Sequence, residues 1–164
     1  MATTLVTAPL VVRITESISL NGSAQGSVNS FTVSGVSEIF KRIVNCPGNS
    51  ETTLAHFHSS VADGTLAPLD MQKVKYIRVT NKDASQSCVL SLQSDVGEDD
   101  SAADESASLL LEAGKSFMMG VPEDGIGISD ANANLVTDLV DLESLVIFTS
   151  TGDAVDVEVF IASV

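Results

Sequence analysis

Apolar and polar residues alternate with a period of two along much of the chain, the spacing of strands with one face buried. From residue 12 to 20 the even positions are Val12, Ile14, Glu16, Ile18 and Leu20, and the odd ones are Arg13, Thr15, Ser17 and Ser19. This predicts a strand with one buried face. The Asn21-Gly22 pair that follows is a turn signal, because both residues tolerate positive φ, and Gly26 reinforces the break. Phe31 and Val33 open a second run, and residues 39–44 read as a third strand closed by Cys46-Pro47-Gly48-Asn49.

Residues 52–61 alternate Thr53, Ala55 and Phe57 against Leu54, His56 and His58, and Asp63-Gly64 marks the next loop. Residues 73–80 are apolar toward both faces near Tyr76 and Ile77, which predicts a central strand covered on two sides. Asn81-Lys82-Asp83 supplies a turn, and Cys88, Leu90 and Leu92 then alternate with Val89, Ser91 and Gln93. Further strands are expected at 107–111 and 117–119, with Ala113-Gly114-Lys115 turning between them. At the C-terminus Val155, Val157, Val159 and Ile161 face one way, and Asp156 and Glu158 the other. Only residues 132–144 depart from this, with Leu135, Leu139 and Leu142 at helical spacing and Asp130 or Asn132 as N-cap. The expected fold is all-β: a single-domain antiparallel β-sandwich or jelly roll with at most one short helix. An N-terminal extension or arm is expected over residues 1–10, and the β-sandwich domain over 11–164.

The length of 164 residues suits one domain able to bury a core without disulfides or a metal. Apolar residues make up 44% and charged ones 18%, which excludes intrinsic disorder. The net charge of −14 is lopsided. Residues 1–82 hold seven basic against five acidic residues, and residues 83–164 hold Lys115 alone against seventeen acids. Such a surface repels phosphate backbones and favours solubility or docking onto a basic surface. No secretory signal and no apolar run long enough for a membrane helix is present, so no membrane partner is expected. Cys46 and Cys88 fit no CxxC arrangement and read as buried free thiols.

The segment from Asp95 to Ser106 carries six carboxylates and no cation: Asp95, Glu98, Asp99, Asp100, Asp104 and Glu105. It reads as an exposed acidic loop, with a partner contact or a calcium site as alternatives; EF-hand spacing is absent. His56 and His58 share one face of a strand, but no recognised spacing supplies further metal ligands. They read as a solvated or intersubunit face, and in the latter case their protonation weakens assembly. These eight residues are the candidate partner contacts.

Gly114-Lys115-Ser116 resembles the end of a phosphate-binding loop, but the first glycine of that motif falls on Leu109. No G-x-S-x-G, H-E-x-x-H or G-x-G-x-x-G stretch occurs, and the expectation is a non-enzyme without cofactor or metal. Lys73, Lys75, Arg78 and Lys82 surround Tyr76, but alternation divides them between two faces. A single aromatic makes a poor stacking platform, so no nucleic-acid partner is expected.

The stretch Lys75-Tyr76-Ile77-Arg78-Val79-Thr80-Asn81-Lys82-Asp83, then Val89-Leu90-Ser91-Leu92, then Leu111-Glu112-Ala113-Gly114-Lys115-Ser116-Phe117 resembles small β-sandwich virion proteins of tailed bacteriophages. These pieces lie within residues 75–117, about a quarter of the chain. The resemblance implies a virion structural protein, assembled in the host cytoplasm. A capsid decoration (cement) protein that binds the major capsid protein or other virion subunits is favoured, with homo-oligomers expected. A tail, connector or fibre-base component, or a lectin-like module, are the alternatives.

Overall fold

A computed structural model describes residues 6–58, 69–94, 105–120, 126–128, 140–150 and 152–164. The chain is all-β. Its strands are β1 (Ala8–Thr15), β2 (Ser19–Leu20), β3 (Ser23–Ala24), β4 (Val28–Val36), β5 (Glu38–Cys46), β6 (Ser50–His58), β7 (Leu69–Asp70) and β8 (Val74–Asn81). There follow β9 (Cys88–Ser94), β10 (Glu105–Leu111), β11 (Ser116–Gly120), β12 (Gly127–Ile128), β13 (Val140–Asp141), β14 (Ser144–Thr149) and β15 (Val155–Ser163). Among the described residues the only helical element is a single 3-10 turn, Met71–Lys73, capped by the Asp70 carboxylate on the Gln72 N–H.

Two sheets form the body, in the orders β11-β8-β15-β5 and β10-β9-β14-β6-β7. Apart from the short parallel pairing of β6 with β7, their ladders are antiparallel. Setting β7 aside, eight strands remain, and their partners nest: β5 with β15, β6 with β14, β8 with β11, β9 with β10. First pairs with last and second with second-last, so the chain is one long antiparallel ribbon folded over itself into two facing sheets. That is jelly-roll wiring. It follows that β5 and β6 lie in different sheets, and the turn at residues 47–49 carries the chain across the sandwich. Asn49 takes φ 54° to make that crossing.

The core lies between the sheets. Val155, Val157, Val159 and Ile161 of β15 point inward with no exposed surface, facing Leu90 of β9 and Leu145 and Ile147 of β14. Each such side chain contributes about 1.5–3 kcal/mol on burial. Alternation holds cleanly in β9, where Cys88, Leu90, Leu92 and Ser94 are buried and the residues between them half-buried. In β6 it breaks. Ala55 and Phe57 point inward, but so does Leu54, because opposite β14 the register steps from Leu145↔Ala55 to Val146↔Thr53. Leu54 is the extra residue of a β-bulge, and it reverses the facing of the residues before it.

β8 is covered on both faces. Ile77 and Val79 face the core between the sheets. Tyr76 faces outward and is covered by β1 and β4, which pair as a separate ribbon over that surface. Val33, Val36, Tyr76 and Ala162 form the resulting second apolar layer, joined by Leu10, Val12, Phe31 and Phe160.

Two expectations are corrected by this arrangement. The even positions of residues 12–20 were expected to form a buried strand face; β1 instead ends at Thr15, and every residue from 13 to 30 is exposed. Of this face only Leu10 and Val12 pack over the sheet, and the apolar residues beyond them have nothing opposite among the described residues. The helix expected over 132–144 is absent where it falls on described residues, since Val140–Asp141 is strand β13, paired with β12. Leu142 packs in the main core beside Phe57 and Ile126, its N–H bonded to the Ile126 carbonyl at 2.9 Å, and lines no helix. Residues 132–139 lie outside the described residues.

Candidate functional surface

The ribbon is the feature that sets this molecule apart from a plain sandwich. Asn21 and Gly22 take φ 51° and 79° and close a tight hairpin between β2 and β3. Backbone bonds from Glu16 N to the Ser27 carbonyl (2.8 Å) and from Gln25 N to the Ile18 carbonyl (2.9 Å) join that tip to the β1–β4 ladder. The result is one hairpin from residue 8 to 36. Its base is anchored by Ser37 N on the Ser163 carbonyl, and Phe31 packs on Tyr76 with ring centroids 6.1 Å apart. Phe31 also reaches Gly120 on edge strand β11, where an added Cβ would meet the ring at 3.0 Å. Past Phe31 the hairpin overhangs. Of the eleven large apolar side chains exposed among the described residues, five lie on this hairpin (Val11, Ile14, Ile18, Leu20 and Val28) and Val6 just precedes it, the largest group in one element.

On the same face of the sheet, Arg78 Nη2 donates to Glu158 Oε1 at 2.5 Å, and its Nη1 donates to Thr80 Oγ1 at 2.9 Å. Lys41 Nζ stands 4.0 Å from Glu158 Oε2. The Arg78 hydrogen bond is the main cause holding the Glu158 carboxyl below the usual carboxylate range, and burial works against it. Its folded value therefore lies under the unfolded one, about 4.3. The resulting stability is present above that pH and is lost as pH falls through the folded value. Glu158→Gln is expected to flatten the acid limb of stability measured as urea midpoint between pH 3 and 7. Asp83, whose carboxylate caps the Ser85 and Gln86 amides, contributes an independent loss in the same window. Subtracting the variant's curve from wild type isolates the Glu158 share.

The sequence-predicted contacts are dispersed. His56 lies on β6 with Nε2 3.2 Å from Glu143 Oε1. His58 ends that strand, its backbone opposite Asp70. Glu105 opens β10 opposite Ser94. Asp95, Glu98, Asp99, Asp100 and Asp104 lie outside the described residues. His56 edges a groove of about 210 Å³ on the open side of the sandwich, between β5 and β6. Phe40, Leu54, Ala55 and Leu69 line it, and the Arg42 guanidinium sits 4.5 Å over the Phe40 ring.

Among the described residues no group of three or more His, Cys, Asp or Glu is placed to hold a metal ion. Cys46 and Cys88 are free, buried thiols; burial pushes Cys88 up to about 11, and neighbouring Cys46 adds to the rise. Neither is a thiolate at neutral pH, the form a nucleophile requires. The cations near Tyr76 separate: Lys75 is buried, Arg78 holds Glu158, and Lys73 pairs with Asp70 at 3.1 Å. No described helix is long and apolar enough to cross a membrane.

No protein-family model, curated protein or solved structure matches the chain. The functional reading rests on the molecule itself.

What sequence reasoning missed is the ribbon. A signal was present: residues 13–30 are rich in Ser, Asn and Gly, poor company for a buried strand face.

Proposed function

We propose that this chain is a virion structural subunit, and specifically a decoration protein that seats on an assembled capsid shell. The observation that carries the reading is the hairpin of residues 13–30, extended and exposed along its whole length on a rigid jelly roll. A two-stranded ribbon with no third layer among the described residues is at best marginally stable in water, so one that exposes Ile14, Ile18, Leu20 and Val28 fits a surface meant to be covered. The jelly roll recurs in capsid proteins, although the fold alone assigns no function. The partner is the major capsid protein or another virion subunit. The protein stabilises the shell by mass action, because it binds the assembled lattice better than free subunits. The same fold serves lectins, but the chain has no Trp and its one Tyr is buried beneath Phe31, leaving little platform for a sugar.

The test is co-sedimentation of purified protein with shells assembled from the capsid protein of the same genome. Saturable binding is expected, together with a higher disruption temperature for the decorated shell. Deleting residues 13–30 and joining Val12 to Phe31 through a short turn is expected to abolish binding while the sandwich still folds. Absence of the wild-type protein from sedimented shells overturns the decoration role. Recovery in purified tails instead moves the chain to a tail or connector component.

A further inference from the structure

Two exposed strips on this molecule have matching patterns. On the ribbon, Ile14 and Ile18 flank Glu16 at two-residue spacing, and all three are exposed. On β5, Phe40 and Val44 pack against the core, so Ile39, Lys41 and Ile43 point outward; Ile39 is 48% and Ile43 62% exposed. In extended chain the two isoleucines of each strip stand about 13 Å apart. One strip reads apolar, acidic, apolar. The other reads apolar, basic, apolar.

The strips cannot meet within one molecule. The ribbon crosses the outer face of the β11-β8-β15-β5 sheet toward β11, since Val36 lies by Ser163 of β15 and Phe31 has reached Tyr76 of β8 and Gly120 of β11. Ile14 and Ile18 lie past Phe31, beyond the β11 edge. β5 is the opposite edge of the same sheet. It is also a nine-residue edge strand without proline or bulge, the kind of surface that folded proteins otherwise blunt or cover.

We infer that the two strips are halves of one contact between copies of this chain, the ribbon of one copy lying along β5 of the next. Because each strip reads the same in both directions, Glu16 meets Lys41 whether the strands run parallel or antiparallel. A slip by one residue would bring Phe40 and Arg42 of β5 opposite the ribbon strip in place of Ile39, Lys41 and Ile43, so the central charge fixes alignment more than affinity. Lys41 is suited to this, being 57% exposed and only 4.0 Å from a Glu158 that Arg78 already holds at 2.5 Å. Each copy offers one ribbon at one edge and one β5 face at the other, so the contact is head-to-tail. Such contacts build a ring where the rotation closes. The inference goes beyond the virion reading and does not depend on it, since it gives a second copy only the Ile14–Glu16–Ile18 side of the ribbon and concerns the purified chain with no shell present.

Sedimentation equilibrium of the purified protein over about 1–100 µM tests it. Wild type is expected to self-associate with concentration. Glu16→Lys and Lys41→Glu are each expected to weaken association by about tenfold, and the two together to recover it to within about threefold. Ile18→Ser is expected to weaken it without any change of charge. Within its own copy Glu16 accepts from Ser27 Oγ and Lys41 stands by Glu158, so each charge reversal is checked for folding by circular dichroism, and Ile18→Ser is expected to unfold like wild type when diluted. A monomer across the whole range, single charge reversals without effect, or a double reversal that fails to recover association each overturns the inference.

Discussion

Tyr76→Ala is expected to release the ribbon while leaving the sandwich folded. Tyr76 is 4% exposed and its ring is gripped from two sides, by Phe31 at 6.1 Å and by Phe160 edge-on at 6.0 Å. It is the largest side chain in the second apolar layer, and its strand neighbours Ile77 and Val79 face the other way into the main core. Removing a buried aromatic ring costs about 3 kcal/mol or more. That cost falls on docking of the ribbon, because the side chain touches no part of the layer between the sheets. Undocked, β1 and β4 are a two-stranded hairpin without backing, which does not hold together well in water. Amide exchange in β1 and β4 is expected to accelerate by about a hundredfold, the equivalent of nearly 3 kcal/mol, while β9 and β14 keep their protection. Tyr76→Phe keeps the ring and is expected to exchange like wild type. Uniform acceleration across all strands would instead make the ribbon part of the same cooperative unit as the sandwich.

The division between ribbon and sandwich also marks where the sequence was legible. In β9 the period-two pattern has a partner on one side only, and on the inward face of β15 it is as regular, so Leu90, Val157 and Ile161 lie where alternation puts them; the ribbon adds the burial of Ala162 on the other face of β15. In β8 the apolar residues on both faces announced two coverings, and both exist. The Asn21-Gly22 turn was readable because its constraint is local: two positive φ values in succession. Residues 12–20 show the limit of the method. Their alternation describes the strand faithfully, but whether an apolar face is buried depends on what stands opposite, and no local pattern contains that.

The same reason hides the wiring. Pairings such as β5 with β15 and β6 with β14 join residues from distant parts of the chain, and the turns that look like hairpins at residues 47–49 and 112–115 carry the chain between sheets. A turn signal states that the chain reverses, not which neighbour it meets. Of the candidate contacts, His56 was visible as a residue, but its neighbour Glu143 was not, since only the β6–β14 register brings them together. Alternation sets Leu54 on the same face as His56, and the bulge that turns it inward leaves no mark in that period.

Asn81→Asp is expected to destabilise the whole sandwich by about 3–5 kcal/mol at pH 7. As the last residue of β8, Asn81 reads in sequence as a turn former, yet it has no exposed surface. Its amide nitrogen donates to the carbonyls of Gln86 at 2.8 Å and Leu111 at 3.1 Å, and its Oδ1 accepts from the Asp83 N–H at 2.9 Å. One side chain thus fixes the β8–β9 turn and ties β8 to β10 in the opposite sheet. The aspartate has the same shape, but it sets a carboxylate oxygen against two carbonyl oxygens and removes the amide donor from both, leaving the Leu111 carbonyl only the weak Cys88 thiol bond at 3.7 Å. Burial and that repulsion raise the new carboxyl above its unfolded value of about 3.9. The sign is therefore opposite to that of Glu158: the penalty is full above the raised folded value and shrinks as pH falls toward 3.9, where the neutral acid can donate to one carbonyl. Thermal unfolding is expected to show a deficit of about 10 °C at pH 7 that narrows on acidification. Asn81→Ala, which loses the bonds without adding a charge, is expected to show a smaller deficit that does not change with pH. Equal deficits for the two variants at every pH would mean that the site admits water, and that Asn81 acts as a turn residue alone.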